Sequence, residues 1–196
     1  MFRRTLMLSV VVGLVLAIVG SASAAVVRVR VEGKSSTIFG ATQPRASATN
    51  ALGALEAASI GGEFYYRVQQ TGFGPYVDQI GRNPAGGSSG WAFKVNGASP
   101  PVGADKVELK AGDVVLWYWA SFSDTGGPPT LELRRTGGGC YQVVARNDAG
   151  NTVSVSATLR VDSRRLPMQG GRACPGPHRS LVRAIATGAV RSNALK

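Results

Sequence analysis

The sequence predicts an α+β domain over residues 26–124, a linker at 125–130 and a small all-β, sandwich-like unit over 131–196. Three observations predict it. Residues 26–122 read as two extended pieces, one helix and then further strands, an order that belongs to α+β domains and not to alternating α/β ones. Between Gly90 and Trp119, two strands carry aromatic residues at alternate positions and are bounded by turn residues. From Leu131 onward only short apolar strands and turn residues follow.

Each element has its own signal. Residues 26–32 alternate Val with Arg28 and Arg30 and end at Gly33, the pattern of an opening strand with one solvent face. A short extended piece at 36–40 comes next. Ser47 is read as a helix N-cap, Ala48, Ala51, Leu52, Leu55 and Ala58 recur at helical spacing, and Gly61-Gly62 ends the helix. Residues 64–68 and 76–80 are strand candidates around the turn-rich Gly72-Phe-Gly-Pro75. Trp91 and Phe93 then share one face of a strand, Asn96-Gly97 supplies a tight turn with positive φ, and Gly112-Asp113 turns the chain into an apolar strand ending in Trp117, Tyr118 and Trp119. In the second unit, strands are expected at 131–134, 140–146, 153–161, 181–185 and 190–195, with a hairpin turn at Asn147-Asp-Ala-Gly150.

Residues 1–25 read as a secretory signal peptide. Arg3 and Arg4 precede an apolar run from Leu6 to Gly20, and Ser21-Ala-Ser-Ala-Ala25 offers a cut after Ala24 or Ala25. The run is shorter than the roughly 20 residues a membrane span needs. The expectation is a chain secreted or associated with the cell envelope, with no transmembrane segment after cleavage.

Charge separates the two units. Residues 26–125 carry nine basic and eight acidic side chains, whereas 126–196 carry eleven basic and three acidic, ten of the eleven being Arg. This basic surface points to anionic envelope polymers as possible partners; no motif for specific nucleic-acid recognition accompanies it. Cys140 and Cys174 are the only cysteines, and in an exported chain an isolated pair reads as one disulfide. Two thiols and one histidine, His178, are too few for a structural zinc site, so no metal is expected.

The motifs of turnover are weak. Gly86-Gly-Ser88-Ser-Gly90 matches the Gly-x-Ser-x-Gly pattern of a nucleophile elbow, but that chemistry needs a helix after the Ser and a base nearby. A strand is expected after it, and His178 lies in the other unit. Asp105, Glu108 and Asp113 are scattered around turns, and no glycine motif for a phosphate or a dinucleotide opens a helix. No enzyme and no cofactor are expected. The aromatics remain. One helix cannot cover both faces of the last strand, so Phe93 and Trp117 are assigned to the core, while Trp91, Tyr118 and Trp119, with Tyr65 and Tyr66, are the candidates for a ligand platform.

The segments Gly90-Trp-Ala-Phe-Lys-Val-Asn-Gly97 and Gly112-Asp-Val-Val-Leu-Trp117, with Ala51-Leu-Gly-Ala-Leu55 and Gly74-Pro-Tyr-Val-Asp-Gln-Ile-Gly81, resemble the C-terminal domain of transcobalamin and the secreted domains like it. The resemblance covers about residues 26–122. It implies a ubiquitin-like β-grasp sheet crossed by one helix, and binding of a small soluble ligand or glycan in place of turnover. In transcobalamin a helical toroid holds the other side of cobalamin, and no such toroid is expected here. The alternative is a structural or protein-interaction role at the cell surface. Ala157-Thr-Leu-Arg-Val-Asp162, Gly170-Gly171 and Val182-Arg-Ala184 are loosely similar to carboxypeptidase-regulatory-like or immunoglobulin-like modules.

The export reading is tested by mass spectrometry of extracellular material, where the N-terminus is expected at Ala25 or Val26. Intact chain beginning at Met1 and held in a membrane fraction would overturn it.

Overall fold

A computed structural model describes residues 23–196. The expected signal peptide therefore lies outside the described residues except for its last three positions. The first unit comprises β1 (Ala25–Glu32), β2 (Thr37–Phe39), β3 (Arg45–Ala48), α1 (Ala51–Gly62), β4 (Tyr66–Thr71), β5 (Gly74–Ile80), β6 (Asn83–Pro84), β7 (Ser89–Val95) and β8 (Val114–Ser121). The second comprises β9 (Thr130–Thr136), β10 (Cys140–Arg146), β11 (Thr152–Val153), β12 (Thr158–Val161), β13 (Arg164–Pro167), β14 (Arg172–Ala173), β15 (Val182–Ile185) and β16 (Ala194–Leu195). Mostly strand with one helix among the described residues, the chain is of the α+β class.

β1 lies at the centre of the first sheet. It runs parallel to β8, with Val29 opposite Val115 and Val31 opposite Trp117, and its other side pairs antiparallel with β3 and then β2. β7 pairs antiparallel with β8, so the order is β2-β1-β8-β7. The alternate β1 residues Val27, Val29 and Val31 are fully buried against Ala51, Ala54, Leu55 and Ala58 of α1. Alanines at this spacing let the helix approach the sheet closely. β4, β5 and β6 form a separate three-stranded sheet that adds Val77 and Ile80 to the same core.

The helix ends differ from the sequence expectation. Ser47 does not cap α1, because pairing with Val26 holds it extended in β3. The cap is Asn50, whose side chain accepts from the Gly53 N–H at 2.8 Å. At the other end Gly61 and Gly62 are still helical and the left-handed residue is Glu63, with φ 51°. Gly62 is required for a different reason: a Cβ there would stand 2.5 Å from the Phe39 ring. The expected turn at Asn96-Gly97 forms with φ of 53° and 88°.

The second unit has two four-stranded antiparallel sheets. In one, β10 pairs with β9 on one side and with β11 and β14 on the other; the second has the order β13-β12-β15-β16. Leu131, Leu133, Tyr141, Val143 and Ala145 from the first meet Leu159, Val161, Val182 and Ala184 from the second in a shared core. The single strand expected at 153–161 is broken, because the chain leaves the β10 sheet after β11 and enters the other sheet at β12. The strand expected at 190–195 shrinks to β16, with Val190 bridging Thr130 in parallel instead. Cys140 and Cys174 form a disulfide, S–S 2.04 Å, across the paired β10 and β14. Closing a loop with a sequence separation of 34 stabilises such a unit by about 3–4 kcal/mol in the chain-entropy account.

The largest departure concerns the second face of the first sheet. Arg28, Arg30 and Glu32 were expected on a solvent face, yet Arg30 and Glu32 are 2% and 1% exposed because the second unit packs on that side. Leu116, Tyr118 and Ala120 of β8 meet Val190 there. The Glu32 carboxylate accepts from Arg30 Nη1 at 3.2 Å, from Arg191 Nε and Nη2 at 3.1 and 3.0 Å, from Thr37 Oγ1, and from Arg183. Removing this charge leaves three guanidinium groups at the seam without a counter-ion. Glu32→Gln is therefore expected to lower the unfolding free energy by about 3–5 kcal/mol in urea titrations. The exposed Arg160→Gln should stay within about 0.5 kcal/mol of the parent.

Candidate functional site

The five aromatic candidates divide by strand phase. Trp91 stands opposite Trp119 and Phe93 opposite Trp117 in the β7–β8 pair, all four on the side of the sheet that faces α1. Trp91 and Trp119 meet edge to face at 5.6 Å, and Phe93 stacks on Trp117 at 5.1 Å. Trp117, 2% exposed, donates from Nε1 to the Ala51 carbonyl at 3.1 Å. Trp91 is 5% exposed and donates to the Asn83 carbonyl at 2.8 Å. It is a core ring between the two sheets of the first unit, so the expectation of an exposed Trp91 is corrected.

Tyr118 is corrected for the opposite reason. Its phase turns it away from α1, but the second unit covers it, leaving 1% exposed. Its hydroxyl faces Asp148 Oδ1 at 3.4 Å, and burial, reinforced by the Asp148 charge, pushes the phenol up from its ordinary value. Tyr65 is exposed just after α1, and Tyr66, at the start of β4, packs half-buried against the first core. The five residues do not converge. Trp119 lines a pocket.

That pocket, about 330 Å³, lies at the seam between the units and is lined by Gly33, Lys34, Trp119, Ser121, Gly188 and Arg191 among others. Lys34 Nζ sits 4.1 Å from the centroid of the Trp119 ring. Arg191 is held in place by Glu32 and by the Gly33 carbonyl, to which it donates at 2.8 Å. The pocket thus presents one aromatic face, two cations and the Ser121 hydroxyl, a combination that can stack on a ring and hold an acidic substituent.

Two buried charge clusters support this seam. In the first, burial lowers Arg30 to about 10 against the opposing pull of Glu32, and burial likewise lowers Arg183. In the second, Lys94, fully buried on β7, donates to the carbonyls of Arg146 and Asn147 at 3.0 and 2.7 Å and pairs with Asp148 at 3.4 Å. Burial pushes Lys94 down and Asp148 opposes that shift. For Asp148 burial pushes upward, but the Gly127 N–H and the Lys94 ammonium outweigh it and hold the carboxyl below the usual range.

The sequence reading overlooked Lys94, Asp148, Glu32, Arg30, Arg183 and Arg191. A signal was present for Lys94: it falls between Phe93 and Val95, opposite in phase to the aromatic face, on a strand otherwise free of charge. Asp148 was legible only as a turn residue. Ser88 lies in an exposed turn that leads into β7 and not into a helix, with its carbonyl accepting from Phe122 N–H. His178 is half-buried against Tyr141, Nε2 3.0 Å from the hydroxyl. Among the described residues no group of His, Cys, Asp and Glu is placed to hold a metal ion, and no helix is long and apolar enough to cross a membrane.

Because the folded-state pKa of Asp148 is depressed, the unfolded chain takes up its proton first. The contribution of Asp148 to stability is complete above about pH 4 and is lost as pH falls through its folded value. Asp148→Asn is expected to flatten this acid limb when urea midpoints are followed from neutral to acid pH. An unchanged limb would remove Asp148 from the account.

Comparison with known proteins adds one match. Residues 48–121, from the end of β3 through β8, match the family model described as a domain of unknown function, DUF4430, and the central strand β1 lies outside the matched span. No curated protein matches the chain. That family is known as transcobalamin-like, so the match over residues 48–121 is consistent with the resemblance read from Gly90–Gly97 and Gly112–Trp117.

Proposed function

We propose that this chain is an exported, non-enzymatic binding module for a small soluble ligand or glycan at the cell envelope, with a ubiquitin-like β-grasp domain as its first unit. The β-grasp reading is supported by the order β2-β1-β8-β7, by the parallel central pair β1 and β8, and by one helix packed across the sheet. The ligand reading is carried by the pocket at Trp119, a concave site with an aromatic wall and two cations from different units. Its chemistry suits a ring-bearing ligand with a carboxylate or phosphate substituent, such as an acidic sugar. Lys34, which is exposed, is the group such a ligand would displace from the indole face.

A second reading, a protein-interaction role, is favoured by one observation. Phe73 is fully exposed at the turn between β4 and β5, with Tyr76 exposed on β5 and Tyr65 exposed before β4. An apolar hairpin tip of this kind suits docking onto another protein.

The two readings separate in one experiment. Tryptophan fluorescence and thermal shift are followed while neutral oligosaccharides, uronic-acid oligosaccharides and a corrinoid are titrated. Saturable quenching by one of these, lost in Trp119→Leu and retained in Phe73→Ser, supports the ligand reading. No response to any of them, together with capture of a partner that is lost in Phe73→Ser, overturns it in favour of docking.

A further inference from the structure

A second cleft lies between the units, lined by different residues from the Trp119 pocket. It measures about 260 Å³ and is walled by Arg28 and Arg30 of β1, Arg134 of β9 and Arg146 of β10, with Gln43 and Asn96 also lining it. Glu132 is the one carboxylate among its lining residues, and it is taken up by Arg134 in two hydrogen bonds of 2.8 and 3.0 Å. Arg30 is paired with Glu32. Arg28 and Arg146 have no acidic partner among the described residues, so the lining carries uncompensated positive charge.

Two further observations point to a ligand. Arg30 Nε and Arg146 Nε are buried donors with no acceptor among the described residues, and Arg30 as a whole is 2% exposed. A buried N–H is ordinarily satisfied. Arg146 is also held in position: its stem crosses Gly97, where a Cβ would come within 2.4 Å of Arg146 Cδ, and Nη1 donates to the Gly150 carbonyl at 2.9 Å. A guanidinium fixed in this way has little freedom left to lose on binding.

We infer that this cleft binds a compact oxyanion, a carboxylate or phosphate group, clamped between Arg28 of the first unit and Arg146 of the second. Guanidinium groups recognise such oxygens through paired N–H donors, and two of them approaching from different units fit one compact anionic group. The volume lies below the range usual for drug-sized ligands, which excludes a large ring system and suits an anionic head group. The anion belongs either to a free small acid or to an anionic polymer, and both offer the same oxygens.

Isothermal titration of the oxidised two-unit chain with inorganic phosphate, citrate and a polyphosphate chain tests this at low and at physiological ionic strength. A saturable site is expected, weakened about tenfold or more in Arg28→Gln and in Arg146→Met. Arg160→Gln, an exposed Arg on β12 outside the cleft, should change affinity less than about twofold. Arg28 is exposed, so its variant should keep the native near-UV signal, and it decides the question alone if Arg146→Met does not fold. Saturation by phosphate or citrate assigns the site to small acids; saturation by polyphosphate alone, with the same loss in Arg28→Gln, assigns it to a polymer. Equal weakening in Arg28→Gln and Arg160→Gln, or no saturable binding of any probe, overturns the inference. Trp119→Leu should retain oxyanion binding, which separates this result from the fate of the Trp119 pocket.

Discussion

A single carboxylate, Glu32, is buried at the seam and takes hydrogen bonds from Arg30 on its own strand and from Arg183 and Arg191 of the other unit. Taking one carboxylate and three guanidinium groups out of water costs several kcal/mol per ion unless the geometry is close to complete. Here the completion comes from both units at once: Thr37 and Glu32 from the β1–β2 region, and the Arg191 and Leu131 carbonyls, to which Arg30 donates. Neither unit can satisfy this cluster alone. The arrangement therefore specifies one docking of the two units more than it adds net stability.

With that docking in place, the mixed sheet has two buried faces. Val27, Val29, Val31, Trp117 and Trp91 face α1, while Leu116, Tyr118, Ala120 and Lys94 face the second unit. A sheet covered on both sides has no broad aromatic surface to offer. Concave surface at the seam is found at its margins, in the pocket that Trp119 lines and in the cleft that Arg28 and Arg146 line. Both candidate sites are consequently composites of the two units.

This accounts for the fate of the aromatic residues. A strand with Trp117, Tyr118 and Trp119 in succession has to place rings on both faces, and one helix cannot cover them. That inference was sound as far as it went. It assumed that the uncovered face met solvent, whereas the cover came from the second unit, from residues some 30 to 70 positions further along the chain, among them Asp148 and Val190. Linker composition at 125–130 carried no information on whether the units dock, because Gly and Pro are used equally in a flexible tether and in a tight connection such as Gly127, whose N–H binds Asp148.

Local pattern determined the α+β class, the presence and apolar face of α1, the turn at Asn96-Gly97, most of the longer strands and the pairing of Cys140 with Cys174, since each follows from side-chain period, turn chemistry or the scarcity of partners within the chain itself. The alternation of Val with Arg28, Arg30 and Glu32 likewise determined that β1 would have one apolar and one charged face. Only the tertiary structure decided that the charged face would be internal, that Lys94 and Tyr118 would be buried beside it, and that Trp119 would line a pocket at the seam. The physical reason is that period reports which residues share a face, while burial of that face depends on what packs against it, and two of the three guanidinium groups that neutralise Glu32, those of Arg183 and Arg191, are separated from it by some 150 residues of chain.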